Sequence, residues 1–436
     1  MNSTIYALAT AAGRAAVAVI RISGPASDDA LAALTHKRLP TPRLASVRTL
    51  VDPETGETLD EALILRFKGP ASFTGEDVVE LHLHGGVAVV NAVTTTLTRL
   101  GLKLAEPGQF TRRAFEHNRL SLSAAEGVGD LIDAETATQR RQAIAQLGGA
   151  LDERFDRWRD ALISSLALVE AAIDFPDEDL PEDVAAGAIA ILEGLKFDLS
   201  RAAADARGQY IRLGYRIALI GAPNAGKSSL FNALIGREAA IVTPVAGTTR
   251  DIIEAHLVLE GYPVVLADTA GMRDTLDIIE AEGVRRARAW AQTAALRIHV
   301  VDLASPGEDD DDVAQLLQPS DWTVGSKVDL LDRPAIGLEV NTHDDVSIAA
   351  LRNRLGQHVA LALAGSDFPA TTRERHSAIL ADAVIALERG IANFRKSPEL
   401  VGEDIRLAAR ALERLSGRID AEAVLERVFS TFCIGK

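Results

Sequence analysis

Short apolar runs separated by turn signals fill roughly the first 118 residues and predict a domain of mixed β and α structure. The runs most typical of strands are TIYALA, AVAVIRI, EALILRF and VVELHLH. Turn-forming sequences such as Ser23-Gly24-Pro25, Gly69-Pro70 and Gly85-Gly86 stand between them. We therefore expect an N-terminal α+β domain.

Helical spacing dominates from Leu120 to Leu213, where Ala, Leu, Glu, Arg and Gln replace the turn residues. One acidic, proline-containing break, from Asp174 to Pro181, separates a long helix from a second one. The pattern becomes helical again after Arg373 and stays so almost to the end of the chain.

Between these helical stretches, apolar strands alternate with amphipathic helices, which is typical of a mostly parallel α/β sheet. The strand runs are RIALIG, PVVLADTAG, LRIHVVDL and WTVGSK. The simplest account is a helical domain that is split by an α/β insert. The predicted divisions are an N-terminal domain at 1–118, a first helical part at 119–214, an α/β domain at 215–364 and a second helical part at 365–436.

Composition and charge narrow the class of protein. A chain of 436 residues is too long for one core. Its net charge of −16 and pI near 5.1 argue against wrapping nucleic acid by bulk electrostatics, though not against a small basic patch. The single cysteine, Cys433, excludes an internal disulfide framework.

The apolar N-terminus is interrupted by Arg14 and Arg21, so we expect no signal peptide, no membrane span and a cytoplasmic location. The acidic run Glu308–Asp312 is interpreted as a charged loop rather than a metal site.

The strongest chemical signal is the segment Gly221–Ser228, which matches G-x-x-x-x-G-K-S between a predicted strand, Arg216–Ile220, and a predicted helix, Ser229–Leu234. Its backbone amides and the helix N-terminus favour phosphate oxygens. Lys227 is expected to bridge the outer phosphates, and Ser228 to supply a hydroxyl to Mg²⁺.

Three further segments follow in the order that a GTPase requires. Gly247–Asp251 offers threonine hydroxyls to the γ-phosphate and its magnesium. Asp268–Gly271 ends a strand with a carboxylate directed to the magnesium shell. Ser326–Asp329 stands where N-K-x-D reads guanine, and the Asp329 carboxylate favours guanine because adenine lacks the matching donor pair.

Both guanine loops depart from the usual pattern. Ser326 replaces asparagine, and Asn341-Thr342 stands where Ser-Ala is expected. We expect the site to prefer guanine, and the sequence leaves open how tightly it binds guanine nucleotides.

Met272 follows Asp-Thr-Ala-Gly, where Ras-like enzymes carry the glutamine that orients the attacking water. A thioether cannot orient water, so another group must do so. The sequence by itself leaves four acids open as candidates: Asp274, Asp277, Glu280 and Glu282.

The motifs together resemble one family throughout the chain, the tRNA-modification GTPases called MnmE or TrmE. GAPNAGKSSLFNAL, TPVAGTTRD, DTAGMRD and the terminal FCIGK carry the resemblance. FTGEDVVELHLHGG, PGQFTRRAF and VEAAIDFPDED extend it beyond the GTPase segment. The resemblance implies an N-terminal folate-binding domain that dimerises, a helical domain and an inserted P-loop G domain of Ras-like α/β fold.

The resemblance implies that K⁺ replaces an arginine finger. Like a guanidinium group, a K⁺ ion beside the transferred phosphoryl group stabilises the negative charge there. By motif position, the implied K⁺ ligands are Asn224, Thr243, Val245 and Thr248, and the implied Mg²⁺ ligands are Ser228 and Thr249. The family's water-orienting glutamate falls on Glu280. The implied nucleotide-contacting positions are Asn224, Ala225, Gly226, Lys227, Ser228, Ser229, Thr243, Pro244, Val245, Ala246, Gly247, Thr248, Thr249, Asp268, Thr269, Ala270, Gly271, Ser326, Lys327 and Asp329.

For a tetrahydrofolate one-carbon donor, either the 5,10-methylene or the 5-formyl derivative, the family positions fall on Arg21, Glu80, Arg119 and Lys436. Arg119 keeps the positive charge where the family often has lysine. A carboxylate suits the pterin's donors, and cations suit the glutamyl carboxylate.

Two alternatives to these assignments remain at this stage. Glu80, His82 and His84 share one strand face, so they are also candidate metal ligands. Cys433 is either a small buried residue or, as the FCIGK ending suggests, a nucleophile or general acid near the folate. Its position resembles a prenylation box, but Gly435 is not aliphatic and Lys436 is a poor final residue, so lipidation is dismissed.

The resemblance implies an enzyme that hydrolyses GTP. With an FAD-dependent partner of the MnmG or GidA kind, in a heterotetramer or larger complex, it adds a carboxymethylaminomethyl-type group at C5 of the wobble uridine of certain tRNAs. A ribosome-associated regulatory GTPase of the Era or Der type is the alternative. Those proteins append basic RNA-binding modules, whereas this chain is acidic. A stand-alone folate aminomethyltransferase would leave the G domain unexplained.

Overall fold

The structure is a computed structural model and describes residues 3–174, 182–236, 253–269, 278–305, 313, 315–333, 335–365, 367–394, 398–417, 425–426, 428–430, 432 and 435. The chain divides into two compact units. Unit 1 comprises Met1–Gly129, Gln146–Leu195 and Ile385–Lys436, and unit 2 comprises Asp130–Ala145 and Lys196–Val384.

The strands are β1 Ile5–Leu8, β2 Val17–Ser23, β3 Ser46–Val51, β4 Thr58–Phe67, β5 Val78–His84, β6 Lys103–Leu104, β7 Tyr215–Ile220, β8 Ile253–Leu259, β9 Tyr262–Asp268, β10 Leu296–Asp302 and β11 Trp322–Ser326. The helices are α1 Ser27–Thr35, α2 Val87–Arg99, α3 Gln109–Glu116, α4 Leu122–Ile132, α5 Ala137–Leu147, α6 Ala150–Asp174, α7 Glu182–Ala204, α8 Arg207–Leu213, α9 Lys227–Ile235, α10 Ile278–Thr293, α11 Asp345–Leu363, α12 Glu374–Asn393 and α13 Pro398–Ser416. A short 3₁₀ helix covers Val328–Leu330.

Unit 1 contains a sheet of strand order β3-β4-β5-β2-β1-β6. Its neighbouring strands are antiparallel except for the β1–β6 pair, which is parallel. Side chains alternate between two faces along each strand. Ile20, Ile22 and Leu81 point into a core with Leu31 of α1 and Leu97 of α2. The expected N-terminal α+β domain is confirmed.

Helices also build unit 1. Helix α6 packs along α13, and Arg406 reaches Glu170 across that pair at 2.6 Å. Leu122 and Ala125 of α4 pack with Leu425 and Phe429 from the C-terminal part of the chain. Helices therefore form where the sequence showed helical spacing, both before the α/β region and after it.

Unit 2 contains a sheet of order β11-β10-β7-β9-β8, which is parallel except for the β8–β9 hairpin. Leu219, Ile298 and Val324 from three strands pack with Leu230 of α9 and Leu355 of α11 in its core. The predicted α/β region with a mostly parallel sheet is confirmed.

Strands β3, β6 and β8 were absent from the sequence-based prediction, and each forms an edge of its sheet. Unit 2 joins the 215–364 region to segments of both predicted helical parts. The four-part division with its boundaries therefore stays a prediction. Among the helices in the described ranges, none combines the length and apolarity needed to span a membrane.

Candidate functional site

The phosphate-binding loop joins the end of β7 to the start of α9. Strand β7 ends at Ile220, and α9 begins at Lys227, two residues before the predicted start. Asn224 adopts a φ of 61°, a left-handed conformation that is uncommon outside glycine and is concentrated at functional loops. Ala225 is buried beneath the loop, whereas Asn224 and Ser229 are exposed.

Lys227 is folded back over this loop. Its Nζ donates to the carbonyl oxygens of Gly221 and Ala222, both at 2.8 Å. Burial lowers the pKa of Lys227, and the charge of Asp268 opposes that shift. A phosphate group would supply the negative charge that this buried ammonium group favours.

Ser228 and Asp268 meet where the magnesium site was predicted. The Ser228 hydroxyl donates to Asp268 Oδ2 at 2.6 Å. Asp268 Oδ1 is buried and accepts no hydrogen bond from any residue in the described ranges. Thr269 Oγ1 donates to the Leu219 carbonyl at 2.5 Å and fixes the end of β9. A hydroxyl beside a carboxylate with an unused oxygen fits Mg²⁺, which prefers oxygen ligands.

The first guanine loop is tied to the phosphate-binding loop through Ser326. The Ser326 hydroxyl donates to the carbonyl of Ala225 and lies 3.2 Å from that of Val301. Lys327 Nζ binds Asp302 Oδ2 at 2.6 Å, and this hydrogen bond lowers the pKa of Asp302. Sequence reasoning did not single out Asp302, although its position at the end of the LRIHVVDL strand was a usable signal.

Asp329 and the second guanine loop lie near the end of β11. Asp329 is in the 3₁₀ helix and is exposed. Val340 donates its amide to the Gly325 carbonyl at 2.7 Å, which brings the following Asn341-Thr342 segment beside β11. Asn341 Oδ1 accepts from the His343 amide at 2.9 Å.

Several predicted site residues lie outside the described residues. They are Thr243, Pro244, Val245, Ala246, Gly247, Thr248, Thr249, Ala270, Gly271, Cys433 and Lys436, together with the side chain of Glu280. The same holds for Met272, Asp274, Asp277, the side chain of Glu282 and the run Glu308–Asp312.

In unit 1, Arg21 and Glu80 face each other on neighbouring strands β2 and β5. Arg21 donates from Nε at 3.1 Å and from Nη2 at 2.9 Å to the same oxygen, Glu80 Oε1. Both side chains are partly accessible, at 22% and 17%. The Arg21 guanidinium carbon lies 5.4 Å from the ring centre of Phe73 and 5.8 Å from that of Phe110. Neither phenylalanine was predicted as a site residue, although both belong to the quoted motifs FTGED and PGQFTRRAF.

Arg119 lies close to the loop that carries Phe73. A Cβ added at Gly75 would stand 2.8 Å from His117 Cβ and 3.4 Å from Arg119 Cγ. His117 Nδ1 is 2.7 Å from the Thr74 carbonyl. Arg119 therefore lies beside the loop that carries Phe73, and the ring of Phe73 is near the Arg21 guanidinium.

The C-terminal Gly435 packs against the end of β1. A Cβ at Gly435 would stand 2.2 Å from the Leu8 carbonyl, so only glycine allows this approach. Ala7, next to Leu8, is the strand partner of Arg21. The FCIGK motif therefore has one described residue beside the Arg21 region.

The histidines of β5 have other partners. His82 Nε2 is 3.4 Å from Glu80 Oε2, and His84 Nδ1 is 2.7 Å from Asp60 Oδ1. In the part of the chain that the structure describes, no three His, Cys, Asp or Glu residues are grouped to hold a metal ion. The alternative of a metal site on this strand therefore has no support there.

Comparison with protein families finds two matches. A model described as the MnmE helical domain matches residues 122–433, and one described as the GTP-binding protein TrmE N-terminus matches residues 4–119.

Full-length relatives give the same result. A protein of Caulobacter vibrioides is 57% identical, one of Phenylobacterium zucineum 54% and one of Maricaulis maris 50%, each with 100% of both chains covered. All three are named tRNA modification GTPase MnmE. The Era or Der alternative is not favoured by these matches.

Proposed function

This chain belongs to the MnmE family and is a GTPase that acts in tRNA modification, and on that premise we propose the reaction that it serves. With an FAD-dependent partner of the MnmG or GidA type, it adds a carboxymethylaminomethyl-type group at C5 of the wobble uridine of certain tRNAs. A tetrahydrofolate derivative supplies the methylene carbon, and the flavin partner supplies the redox step. Glycine would supply the nitrogen together with the carboxymethyl group, whereas ammonium would supply the nitrogen of a plain aminomethyl group.

The observation that carries this proposal is the partly accessible Arg21–Glu80 pair on neighbouring strands of the unit 1 sheet. A partly accessible carboxylate fits the amine and ring N–H donors of a pterin. Arg119, near the same loop, fits a glutamyl carboxylate. Gly435 beside β1 supports placing its neighbour Lys436 in this site and keeps Cys433 a candidate nucleophile or general acid.

The nucleotide half of the reaction rests on unit 2. We assign Lys227 to the outer phosphates, Ser228 with Thr249 to Mg²⁺, and Asp329 to guanine. Asn224, Thr243, Val245 and Thr248 are assigned to K⁺, which would balance the charge that develops on the transferred phosphoryl group. Among these K⁺ ligands, the exposed Asn224 is the one within the described ranges.

Glu280 is assigned as the residue that positions the attacking water, because Met272 cannot do so. The protein is proposed to act as a cytoplasmic homodimer through its N-terminal domain, with tRNA as substrate. The divisions 1–118, 119–214, 215–364 and 365–436 are proposed as its domains.

Mass spectrometry of wobble nucleosides tests this function. In a strain that lacks the gene, we expect the carboxymethylaminomethyl-type nucleoside to disappear and the wild-type chain to restore it. A Glu80→Ala chain should fail to restore it while remaining a competent GTPase. An unchanged nucleoside profile in the deletion strain would refute the proposed reaction.

A further inference from the structure

The loop of residues 69–77 in unit 1 holds one aromatic side chain outward between buried neighbours. Phe73 is 37% exposed, whereas Ser72 is 5% exposed and Thr74 is fully buried. A single exposed apolar side chain needs no explanation in general. Here the exposed ring is flanked on both sides by buried polar residues, so core packing does not account for its position.

Hydrogen bonds fix this loop on both sides of Phe73. The Ser72 hydroxyl donates to the Glu76 carbonyl at 2.5 Å. The Thr74 hydroxyl lies 2.7 Å from the Ser23 hydroxyl, at the end of β2. The residues on both sides of Phe73 are therefore held in place before any ligand arrives, and preorganisation lowers the cost of binding.

The Phe73 ring also lies next to the ion pair that was assigned to the pterin. Phe110, whose ring centre is also near the Arg21 guanidinium, is fully buried, so Phe73 is the accessible ring of the two. Because Arg21 gives both of its hydrogen bonds to Glu80 Oε1, it holds this carboxylate in position. The second oxygen, Oε2, receives no hydrogen bond from Arg21 and lies 3.4 Å from His82 Nε2.

We propose that Phe73 is the residue on which the planar pyrimidinone ring of the folate stacks, while Arg21 is a positioning residue for Glu80. A flat heterocycle lying on an aromatic face gains dispersion and electrostatic energy that an aliphatic side chain does not provide. Stacking here would bring the donor edge of the pterin toward the Glu80 carboxylate. This inference rests on the proposed folate site and adds the residue that selects a flat ring.

Calorimetry of the full-length protein with 5-formyl-tetrahydrofolate tests the assignment. Phe73→Ala should weaken binding by about tenfold or more, in the range seen for base–aromatic stacking. Phe73→Leu, which keeps apolar bulk without an aromatic face, should also weaken it clearly. Phe73→Tyr should bind within a few-fold of the wild type.

Leu63→Ala is the matched control, because Leu63 has the same 37% exposure and lies on β4 of the same sheet. It should leave folate binding unchanged, and thermal unfolding of every variant should stay close to that of the wild type. If Phe73→Ala or Phe73→Leu binds as tightly as the wild type, the stacking role is wrong while the folate site stands. If the wild type itself does not bind 5-formyl-tetrahydrofolate, the folate site and the stacking role fall together.

Discussion

Ser326 shows how one residue can replace the usual asparagine of a guanine loop and keep a link to the phosphate-binding loop. Its side chain is fully buried, and its hydroxyl contacts the carbonyls of Ala225 and Val301. Sequence reasoning identified the position but not this link, because a short hydroxyl has no fixed partner until the strands place one.

Removing the Ser326 hydroxyl should therefore disturb nucleotide binding. In Ser326→Ala, the buried carbonyl of Ala225 loses its hydroxyl donor, at a cost of roughly 1 kcal/mol. We expect GTP affinity to fall about five-fold, measured with a fluorescent GTP analogue. Ser305→Ala, at an exposed position after β10, should bind like the wild type. Equal affinity of Ser326→Ala and the wild type would show that the link does not support the site.

Asn224 allows a test of the monovalent cation. If its side-chain oxygen is a K⁺ ligand, GTP turnover in the wild type should be several-fold faster in K⁺ than in Na⁺. Asn224→Ala should lose most of that difference. Steady-state phosphate release in K⁺ and in Na⁺ measures this difference in turnover. Equal wild-type rates in the two salts would contradict the K⁺ assignment.

Substitution of Glu80 tests whether folate binding can be lost while GTP hydrolysis is kept. Glu80→Ala removes the carboxylate and leaves Arg21 without this partner, so binding of 5-formyl-tetrahydrofolate should fall by tenfold or more. GTP turnover should stay nearly unchanged, because Glu80 and the nucleotide residues belong to different units. Glu57→Ala, an exposed acid of unit 1, is the control for calorimetry. Undiminished folate binding by Glu80→Ala would remove this residue from the site.

At the scale of elements, the sequence predicted every strand at the centre of each sheet and missed three at the edges, namely β3, β6 and β8. Strand β7 is a nearly continuous apolar run, and in β5 the apolar residues that alternate with Glu80 and His82 are all buried. In contrast, β3 and β8 keep polar residues such as Arg48 and His256 at intermediate positions and bury only part of their side chains. An edge strand has one hydrogen-bonded neighbour and a more accessible surface, so its hydrophobic signal is weak.

The packing of α11 against the unit 2 sheet predicts a pH dependence. His358 of α11 lies between Tyr215 of β7, with 3.2 Å between Nε2 and the phenol oxygen, and Trp322 of β11, with ring centres 5.1 Å apart. Burial lowers the pKa of His358 and raises that of Tyr215 to about 12. His358 is therefore favoured in its neutral form in the folded state.

The direction of the effect follows from proton linkage. Below an ordinary histidine pKa of ~6.5, the unfolded chain binds a proton at this position that the folded chain resists, so the free energy of unfolding falls as pH decreases. The loss ends once the pH is below the lowered folded-state pKa. His358→Gln should show a shallower decline between neutral pH and ~5 in urea unfolding followed by tryptophan fluorescence. The exposed His343→Gln should decline like the wild type, and identical slopes in all three proteins would contradict the linkage.

At the scale of the whole molecule, the two candidate sites lie in different compact units. Arg21, Glu80, Phe73 and Arg119 belong to unit 1, whereas the phosphate-binding and guanine loops belong to unit 2. Sequence motifs identified both sites because each depends on local loops with fixed spacing. The motifs did not reveal Phe73 as an exposed residue beside Arg21, because exposure is a property of the folded loop and not of the FTGED sequence.

The proposed role of Glu280 predicts that GTP hydrolysis depends on the pairing of two chains. It lies twelve residues after Asp268, in the first turn of α10, too far along the chain to be held by β9 itself. We expect it to reach the attacking water when two G domains pair in the GTP-bound dimer. Specific activity of the wild type should then rise with protein concentration.

Substitution of the acids at the start of α10 tests this arrangement. A residue that positions water acts in the transition state much more than on the bound substrate. Glu280→Ala should therefore lower kcat by ~10²-fold or more and change GTP affinity by no more than a few-fold. Glu282→Ala, two residues further along the same helix, is the matched control and should be nearly silent. Equal effects of the two substitutions, or a Glu280→Ala chain that mainly raises KM, would mean that these acids form only a charged segment and that another group orients the water.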